Sequence, residues 1–386
     1  MLRILNVRSD MHPIWGGGST ERALQMSRAL ALQPGVEVTL LSLDLGATPD
    51  WPHTLPGVDV VALSCANKRF QVPAASSRSI EKPVRRADVI HMMGHWSMLN
   101  ALVYRRAVSV GVPYVVCPAG ALPIFGRSKY LKRAYNRFVG QAIIRDAAGR
   151  IAITRDEVPQ FLAYGVSADS VRVIPNGVVP SEYEYRDDDA FRTLYELGDA
   201  PFLLFVGRLN PIKGPDLLIE SFASIKERFP QHLLVMAGQD EGMLRQLTTL
   251  TEKHALRQRV RFIGHVSGEM KSAAYHAAEL LVIPSRQEAM SIVVLESGAA
   301  GTPVVATDQC GLKEIAQIDG GIIVPATVHG LAGGIAAALD DPSKLPAMGE
   351  KLRAYTVKNF SWSVISSRLV TLFEEAIAES GAGSKP

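Results

Sequence analysis

Only three cysteines occur in 386 residues, Cys65, Cys117 and Cys310, scattered without the short spacings of a metal-ligand set or a redox pair. Their scarcity excludes a disulfide framework and predicts reduced core thiols in a cytosol. Long apolar runs are missing too, since no stretch approaches the ~18 residues of a transmembrane helix. Met1 to Val7 reads as a strand leading into a polar loop, with neither the apolar core nor the cleavage site of a secretion signal, so a cytoplasmic protein is expected. No internal repeat points to a solenoid, and low complexity is confined to the last few residues. Neither sign of charge dominates, with 41 Lys+Arg against 38 Asp+Glu. No nucleic-acid-binding motif or stacking platform is present, so nucleic acid is not an expected partner.

What the chain does have is size and alternation. At 386 residues it exceeds the length at which one core usually splits, and two domains are expected. Residues 1–180 carry a net charge of +9 and the remainder −6, so the two halves either meet different partners or attract one another. Strand and helix patterns alternate throughout, which argues for parallel sheets with crossover helices. The expected strands are Leu2 to Val7, Val36 to Leu43, Val58 to Leu63, Val89 to Met92, Tyr114 to Cys117, Arg150 to Ile153 and Val171 to Ile174. After a Pro- and Asp-containing connector come Phe202 to Val206, Leu233 to Ala237, Val260 to Ile263, Leu280 to Ile283, Val304 to Ala306 and Gly321 to Val324.

Three segments carry chemistry. Phe202 to Val206 is an unbroken apolar run, the mark of a strand buried on both faces. It ends in Gly207-Arg208-Leu209-Asn210-Pro211-Ile212-Lys213-Gly214-Pro215, ahead of a helix predicted over Asp216 to Phe229. Arg208 and Lys213 therefore sit after a strand's carboxyl end, beside a helix N-terminus, where open α/β sheets bind ligands. Two cations there suit an anion such as a diphosphate, or simply form a solvated basic loop. In Glu288-Ala289-Met290-Ser291-Ile292-Val293-Val294-Leu295-Glu296, the second carboxylate falls inside an almost wholly apolar helix. Ionised there, it needs a polar ligand or partner, unless that face meets water. Gly16, Gly17 and Gly18 follow the first strand and open a helix predicted over Thr20 to Leu32; such glycines let backbone N–H groups approach a phosphate, although a tight turn explains them equally. The spacing fits neither a dinucleotide fingerprint nor a P-loop.

Taken in order, G-R-L-N-P-I-K-G, the two glutamates eight positions apart, Pro175-Asn176-Gly177-Val178 and Phe360-Ser361-Trp362 resemble the retaining glycosyltransferases of family 4. The resemblance spans nearly the whole chain and implies the α/β GT-B fold, with two Rossmann-like doubly wound domains facing each other across a cleft. It implies an N-terminal acceptor-binding domain over residues 1–178, a linker over 179–200 and a nucleotide-sugar donor-binding domain over 201–360, with a final helix, 363–378, packing back onto the first domain. By the same resemblance, Arg208 and Lys213 hold the donor diphosphate, Glu288 faces the donor sugar and Glu296 accepts hydrogen bonds from the ribose. Backbone amides from Met290 through Ser291 to Ile292 cap sugar or phosphate oxygens, and the loop at Gly16, Gly17 and Gly18 reaches the diphosphate. The loop after Phe262 to Val266 is placed for the base.

The implied activity is retaining transfer of a hexose-type sugar from a nucleotide diphosphate sugar to a saccharide, lipid-linked or small-molecule acceptor, in polysaccharide or glycoside synthesis. A retaining glycosidase needs two carboxylates about 5 Å apart flanking the bond, whereas Glu288 and Glu296 both belong on the donor side. Same-face substitution is therefore what the resemblance implies, with the leaving phosphate taking the acceptor's proton and no metal or other cofactor. Asp187 and Asp189 form a D-x-D pattern but lie in the connector. The family often carries a histidine after the strand ending at Cys117, and this chain has Pro118-Ala119-Gly120 instead. His95, beside Trp96 at another strand's carboxyl end, is the candidate catalytic or substrate contact, and His91 the candidate core histidine. Residues 127–150 hold seven basic side chains and one acidic, interleaved with apolar ones. Such a helix either lies on an anionic membrane as a peripheral contact or packs its apolar face on the core. Other readings are a GT-B relative with epimerase or phosphorylase chemistry, or a non-catalytic nucleotide-sugar-binding subunit.

Overall fold

Apolar runs without internal alternation become the interior strands of two parallel sheets. The computed structural model describes residues 1–11, 17–45, 55–74, 77–124 and 128–382. Its compact units are Met1–Gly177 with the segment from Trp362 onward, and Val178–Ser361. In the first unit the strands are β1 (Leu2–Val7), β2 (Val36–Asp44), β3 (Val58–Asn67), β4 (Val72–Pro73), β5 (Val89–Met93), β6 (Tyr114–Cys117), β7 (Gly149–Ala152) and β8 (Val171–Val173). They lie in the order β4-β3-β2-β1-β5-β6-β7-β8. In the second unit β9 (Phe202–Val206), β10 (Leu233–Ala237), β11 (Val260–Gly264), β12 (Leu280–Ile283), β13 (Val304–Thr307) and β14 (Gly321–Val324) form a sheet in the order β11-β10-β9-β12-β13-β14.

Every strand expected from the sequence is present. Among the described residues the unexpected one is β4, two residues that pair antiparallel with β3 at the sheet's edge. It is too short for any periodicity, and its Pro73 is tolerated because an edge strand can forgo one ladder donor. All other pairings are parallel, with β1 in register against β5 from Ile4↔Val89 to Val7↔Met92 and β9 against β12 at Leu203↔Leu280. Strand order reverses between β1 and β5 and again between β9 and β12, which makes the carboxyl ends of those strands the topological switch points.

Local chemistry explains the remaining boundaries. The connector folds onto the second unit, burying Tyr183 and Phe191. Within it Asp187 caps the helix Asp188–Leu194, accepting from the Ala190 amide at 2.9 Å and the Tyr185 hydroxyl at 3.1 Å. The acidic run is thus a helix start. The last helix, Trp362–Ala382, buries Ile365, Leu369, Leu372, Phe373 and Ala376 at helical spacing within the first unit, and Ser366 Oγ accepts from Gln33 Nε2 at 2.8 Å. The chain crosses between units at neighbouring points, where the Val178 amide donates to Phe360 O at 2.8 Å. None of the three cysteines is paired, and burial pushes the Cys117 thiol up and that of Cys310 to about 12. Among the described residues no helix is long and apolar enough to cross a membrane.

Gly214, the last loop residue before the helix Pro215–Ile225, has φ +67°, and a Cβ there would collide with Pro284 O. Gly333, in the exposed face of helix Val328–Leu339, has open space around it. Gly214→Ala is therefore expected to destabilise the second unit by about 2 kcal/mol or more, and Gly333→Ala to stabilise it by up to about 1 kcal/mol. Urea unfolding of both variants checks this, and equal effects would refute the geometry assigned to the β9 loop.

Candidate active site

The switch point of the second unit gathers the predicted cations and carboxylates. Lys213, at the end of the β9 loop, forms an ion pair through Nζ with Glu288 Oε1, in the loop after β12. Glu288 Oε2 accepts from Ser285 Oγ at 2.9 Å. Both partners of the ion pair are largely shielded, with side-chain exposures of 21% and 14%. Arg208 pairs through Nη1 with Glu241 Oε1 at 2.6 Å, and Asn210 Nδ2 donates to Glu241 Oε2 at 2.6 Å. Asn210 Oδ1 in turn accepts from the Lys213 amide at 3.0 Å, which shapes the loop between the two cations. A second tie joins the same two loops. Arg286 grips Asp216 through Nη1 and Nη2, at 2.8 and 2.7 Å, and its amide donates to Ile212 O at 2.8 Å. Burial tends to raise the Asp216 carboxyl, but its hydrogen bonds and charge contact with Arg286 leave it below its ordinary value.

Glu296 is 5% exposed, as the apolar helix predicts, but its compensation comes from the protein. Lys271 Nζ donates to Oε1 at 2.9 Å and the Tyr275 hydroxyl to Oε2 at 2.6 Å. Burial, followed by the Glu296 carboxylate, pushes the Tyr275 phenol well up, so it remains a donor. The requirement for a ligand to satisfy this carboxylate is thereby removed. A carboxylate nonetheless has about four acceptor positions, and two donors leave others.

The helix Ile292–Ala300 starts at Ser291. The Ser291 amide, expected to cap a ligand oxygen, is committed to Cys310 O at 3.0 Å, so that role does not fit it. Its buried hydroxyl, however, has no hydrogen-bond partner and does not cap its own helix. That leaves a hydroxyl beside the first-turn amides beginning at Ile292, which have no intrahelical acceptor. Met290, also expected in the lining, is buried.

In the first unit the predicted glycine loop falls partly outside the described residues. Gly16 lies outside the described residues, and Gly17 and Gly18 already form the first turn of the helix Gly17–Ala31. Arg8 and Arg22 stand near this start and were not singled out from the sequence. Arg8 follows β1, its Nη2 donating to Ser19 Oγ at 2.8 Å, and Arg22 Nη2 donates to Cys117 Sγ at 3.0 Å. Burial, more than the nearby Arg22 charge, lowers the affinity of Arg8 for its proton. The signal was available, because Arg8 follows a buried strand just as Arg208 does.

His95 does not occupy the open position expected of a catalytic contact. It is 2% exposed, its Nε2 lies 2.8 Å from Asn136 Oδ1, and Trp96, Tyr135 and Tyr164 surround it edge-on. Burial pushes it down to about 4 despite the Asn136 hydrogen bond, so the ring is neutral at pH 7. His91 is fully buried, beside Asn6 Oδ1 at 3.3 Å and tilted against Phe373. Among the described residues no group of three His, Cys, Asp or Glu side chains converges as a metal site would.

Comparison with known proteins matches each unit separately. Residues 17–177 match the family described as glycosyl transferase 4-like domain, and residues 187–355 match glycosyl transferases group 1. D-inositol 3-phosphate glycosyltransferase 1 of Catenulispora acidiphila is 30% identical over 95% of this chain and 92% of its own. Among solved structures, sucrose-phosphate synthase from Thermosynechococcus elongatus superposes with a TM-score of 0.80 at 22% identity, over 98% of this chain and 100% of its own. HepE of Anabaena, in complex with UDP-glucose, superposes with a TM-score of 0.73 at 19% identity, over 99% of this chain and 100% of its own. Two doubly wound units, a family match on each and a relative similar along almost its whole length lead to one conclusion: the chain belongs to the group 1 glycosyl transferases, the family 4 glycosyltransferases of GT-B fold.

Proposed function

We propose that the protein transfers a hexosyl group from a nucleoside diphosphate sugar, with retention of anomeric configuration, to a saccharide, lipid-linked or small-molecule hydroxyl. The observation that carries this reading is the Lys213–Glu288 ion pair across the β9/β12 switch point. An ammonium has three donors, and one spent on Glu288 leaves two for phosphate oxygens. The carboxylate keeps acceptor positions for sugar hydroxyls. The pair thereby sets phosphate and sugar at a fixed separation on either side of the bond to be broken. Arg208 adds a second cation for the diphosphate. The unpartnered Ser291 hydroxyl and the first-turn amides after it suit a further sugar or phosphate oxygen. Glu296 is assigned to the ribose through its remaining acceptor positions. UDP-glucose bound by HepE supports a ligand of this class.

The residues favour same-face substitution. Glu288 is engaged by Lys213 and Ser285, and is therefore a poor nucleophile for a covalent glycosyl intermediate. The bond from the anomeric carbon to the phosphate oxygen breaks as the bond to the acceptor oxygen forms, and the acceptor's proton passes to the departing phosphate. Lys213 and Arg208 stabilise the charge that accumulates on that phosphate. This scheme uses no metal.

A nucleoside diphosphate at about 100 times its dissociation constant is expected to add roughly 2.7 kcal/mol of stability, a rise of a few degrees in the apparent unfolding midpoint. Lys213→Ala should weaken that binding by about ten- to a hundredfold; unchanged affinity would remove Lys213 from the site. Glu288→Gln should depress turnover while leaving affinity for the bare diphosphate near normal. Glu296→Gln should loosen ribonucleotide affinity, and destabilisation with unaltered affinity would make it a purely internal partner of Lys271 and Tyr275. NMR of the first product should give the donor's anomeric configuration, and an inverted product would refute same-face substitution.

A further inference from the structure

Between the turn at residues 69–72, the start of the helix Met98–Val110 and the helical segment at residues 129–139 lies a groove of about 730 Å³. That volume falls within the roughly 300–1,000 Å³ of small-molecule sites. Its wall is formed by large apolar side chains, chiefly Phe70, Trp96, Met98, Leu131 and Phe138, of which Phe138 is 81% exposed and Leu131 59%. Scattered exposed apolar residues are ordinary, but several converging on one concavity mark a surface that something covers. The charge of the lining is all of one sign. Arg69, Arg105 and Lys132 contribute to it, and among the described residues no carboxylate does. Two of these cations lie against aromatic walls, Lys132 Nζ 5.4 Å from the Trp96 ring centre and the Arg69 guanidinium 5.5 Å from that of Phe70.

The groove is built on a fixed base. Tyr135 donates its hydroxyl to Ser97 O at 3.0 Å, and Asn136 joins His95 to the Tyr164 hydroxyl, which donates to Leu122 O at 2.9 Å. Residues Asn136–Gly140 form a π turn, a rare conformation found mostly at functional positions. Gly140 leaves room for the Asn136 side chain, since a Cβ there would collide with Asn136 Oδ1. Trp96 and Ser97 follow the carboxyl end of β5, one of the two strands at this unit's switch point, so the groove adjoins the edge of the sheet where ligands of such folds are held.

We propose that the groove binds the apolar chain of a lipid-carried acceptor, whose anionic phosphate or diphosphate head sits at Arg69, Arg105 and Lys132. The proposal rests on the glycosyltransferase reading above and names its acceptor class. A concave apolar slot suits one chain, whereas attachment to a bilayer uses a convex apolar helix face. Exclusively cationic lining selects an anionic head over a neutral one.

The test is binding of farnesyl phosphate to the full chain, followed by tryptophan fluorescence below the micelle concentration, with farnesol and inorganic phosphate as comparisons. Saturable binding of farnesyl phosphate, weaker binding of farnesol and none of phosphate are expected. Phe138→Asp, or Leu131→Asp as an independent second variant, should weaken it by about tenfold or more. The double change Arg105→Ala and Lys132→Ala should erase the preference for phosphate over alcohol. Absence of saturable binding, equal binding in both aspartate variants, or flotation on phosphatidylglycerol vesicles without monomer binding would each overturn the proposal. The nucleoside diphosphate midpoint shift, read on the same variants without amphiphile, reports that they are folded. Its absence in the unmodified protein would sink the donor reading alone.

Discussion

A charge withdrawn from water must be answered by another group, and this constraint organises the carboxyl edge of the second sheet. The β9 loop carries Lys213 and leads into a helix whose first turn holds Asp216; the β12 loop carries Arg286 and Glu288. The pairs cross, cation to anion in both directions, so the two loops at the switch point are fastened twice. Partly buried ion pairs add little net stability, because desolvation offsets most of the attraction, whereas removing one partner is costly. Their main effect is therefore positional. They hold two strand ends at a fixed spacing at the point where the strand order reverses, which is what a site for a two-part ligand requires.

Much of this was legible in the sequence because buried parallel strands leave no room for polar residues. Runs such as Phe202 to Val206 and Leu280 to Ile283 identify themselves, and whatever follows them is at a carboxyl edge. Arg208 and Lys213 were found that way, and Glu288 by its spacing to the buried Glu296. β4 was not, since two residues at an edge, one of them proline, carry no pattern. The connector was read as mainly polar, yet Tyr183 and Phe191 anchor it, and two aromatics at no regular spacing give no periodic signal.

The site shows a different limit. Sequence shows that a polar group is surrounded by apolar neighbours along the chain, but not which distant side chain reaches it. Glu296 was read as needing a polar ligand or partner, and its partners are Lys271 and Tyr275, a helix away. His95 was read as the candidate catalytic or substrate contact, and Asn136 with three aromatic rings encloses it. Local pattern correctly located the anomaly in the first case and the loop in the second. The partner in each case is a tertiary fact.

The basic segment at residues 127–150 shows why periodicity alone could not choose between a helix packed on the core and one turned outward. Both occur along it. Ile143 and Ile144 are buried, as a core-packed face requires, whereas Tyr130, Leu131 and Phe138 are exposed. The change comes at the π turn Asn136–Gly140, where Phe138 is outside and its neighbour Val139 is buried. One extra residue in a turn advances the helix by about 100° relative to a regular 3.6-residue repeat. Even without that advance, Leu131 and Phe138, seven residues apart, share one face of a helical wheel, and Ile143 and Ile144 lie about 120° or more from it. The apolar wall of the groove is thus the face that carries Leu131 and Phe138, and the Asn136 bridge to His95 and Tyr164 ties that segment to the first unit.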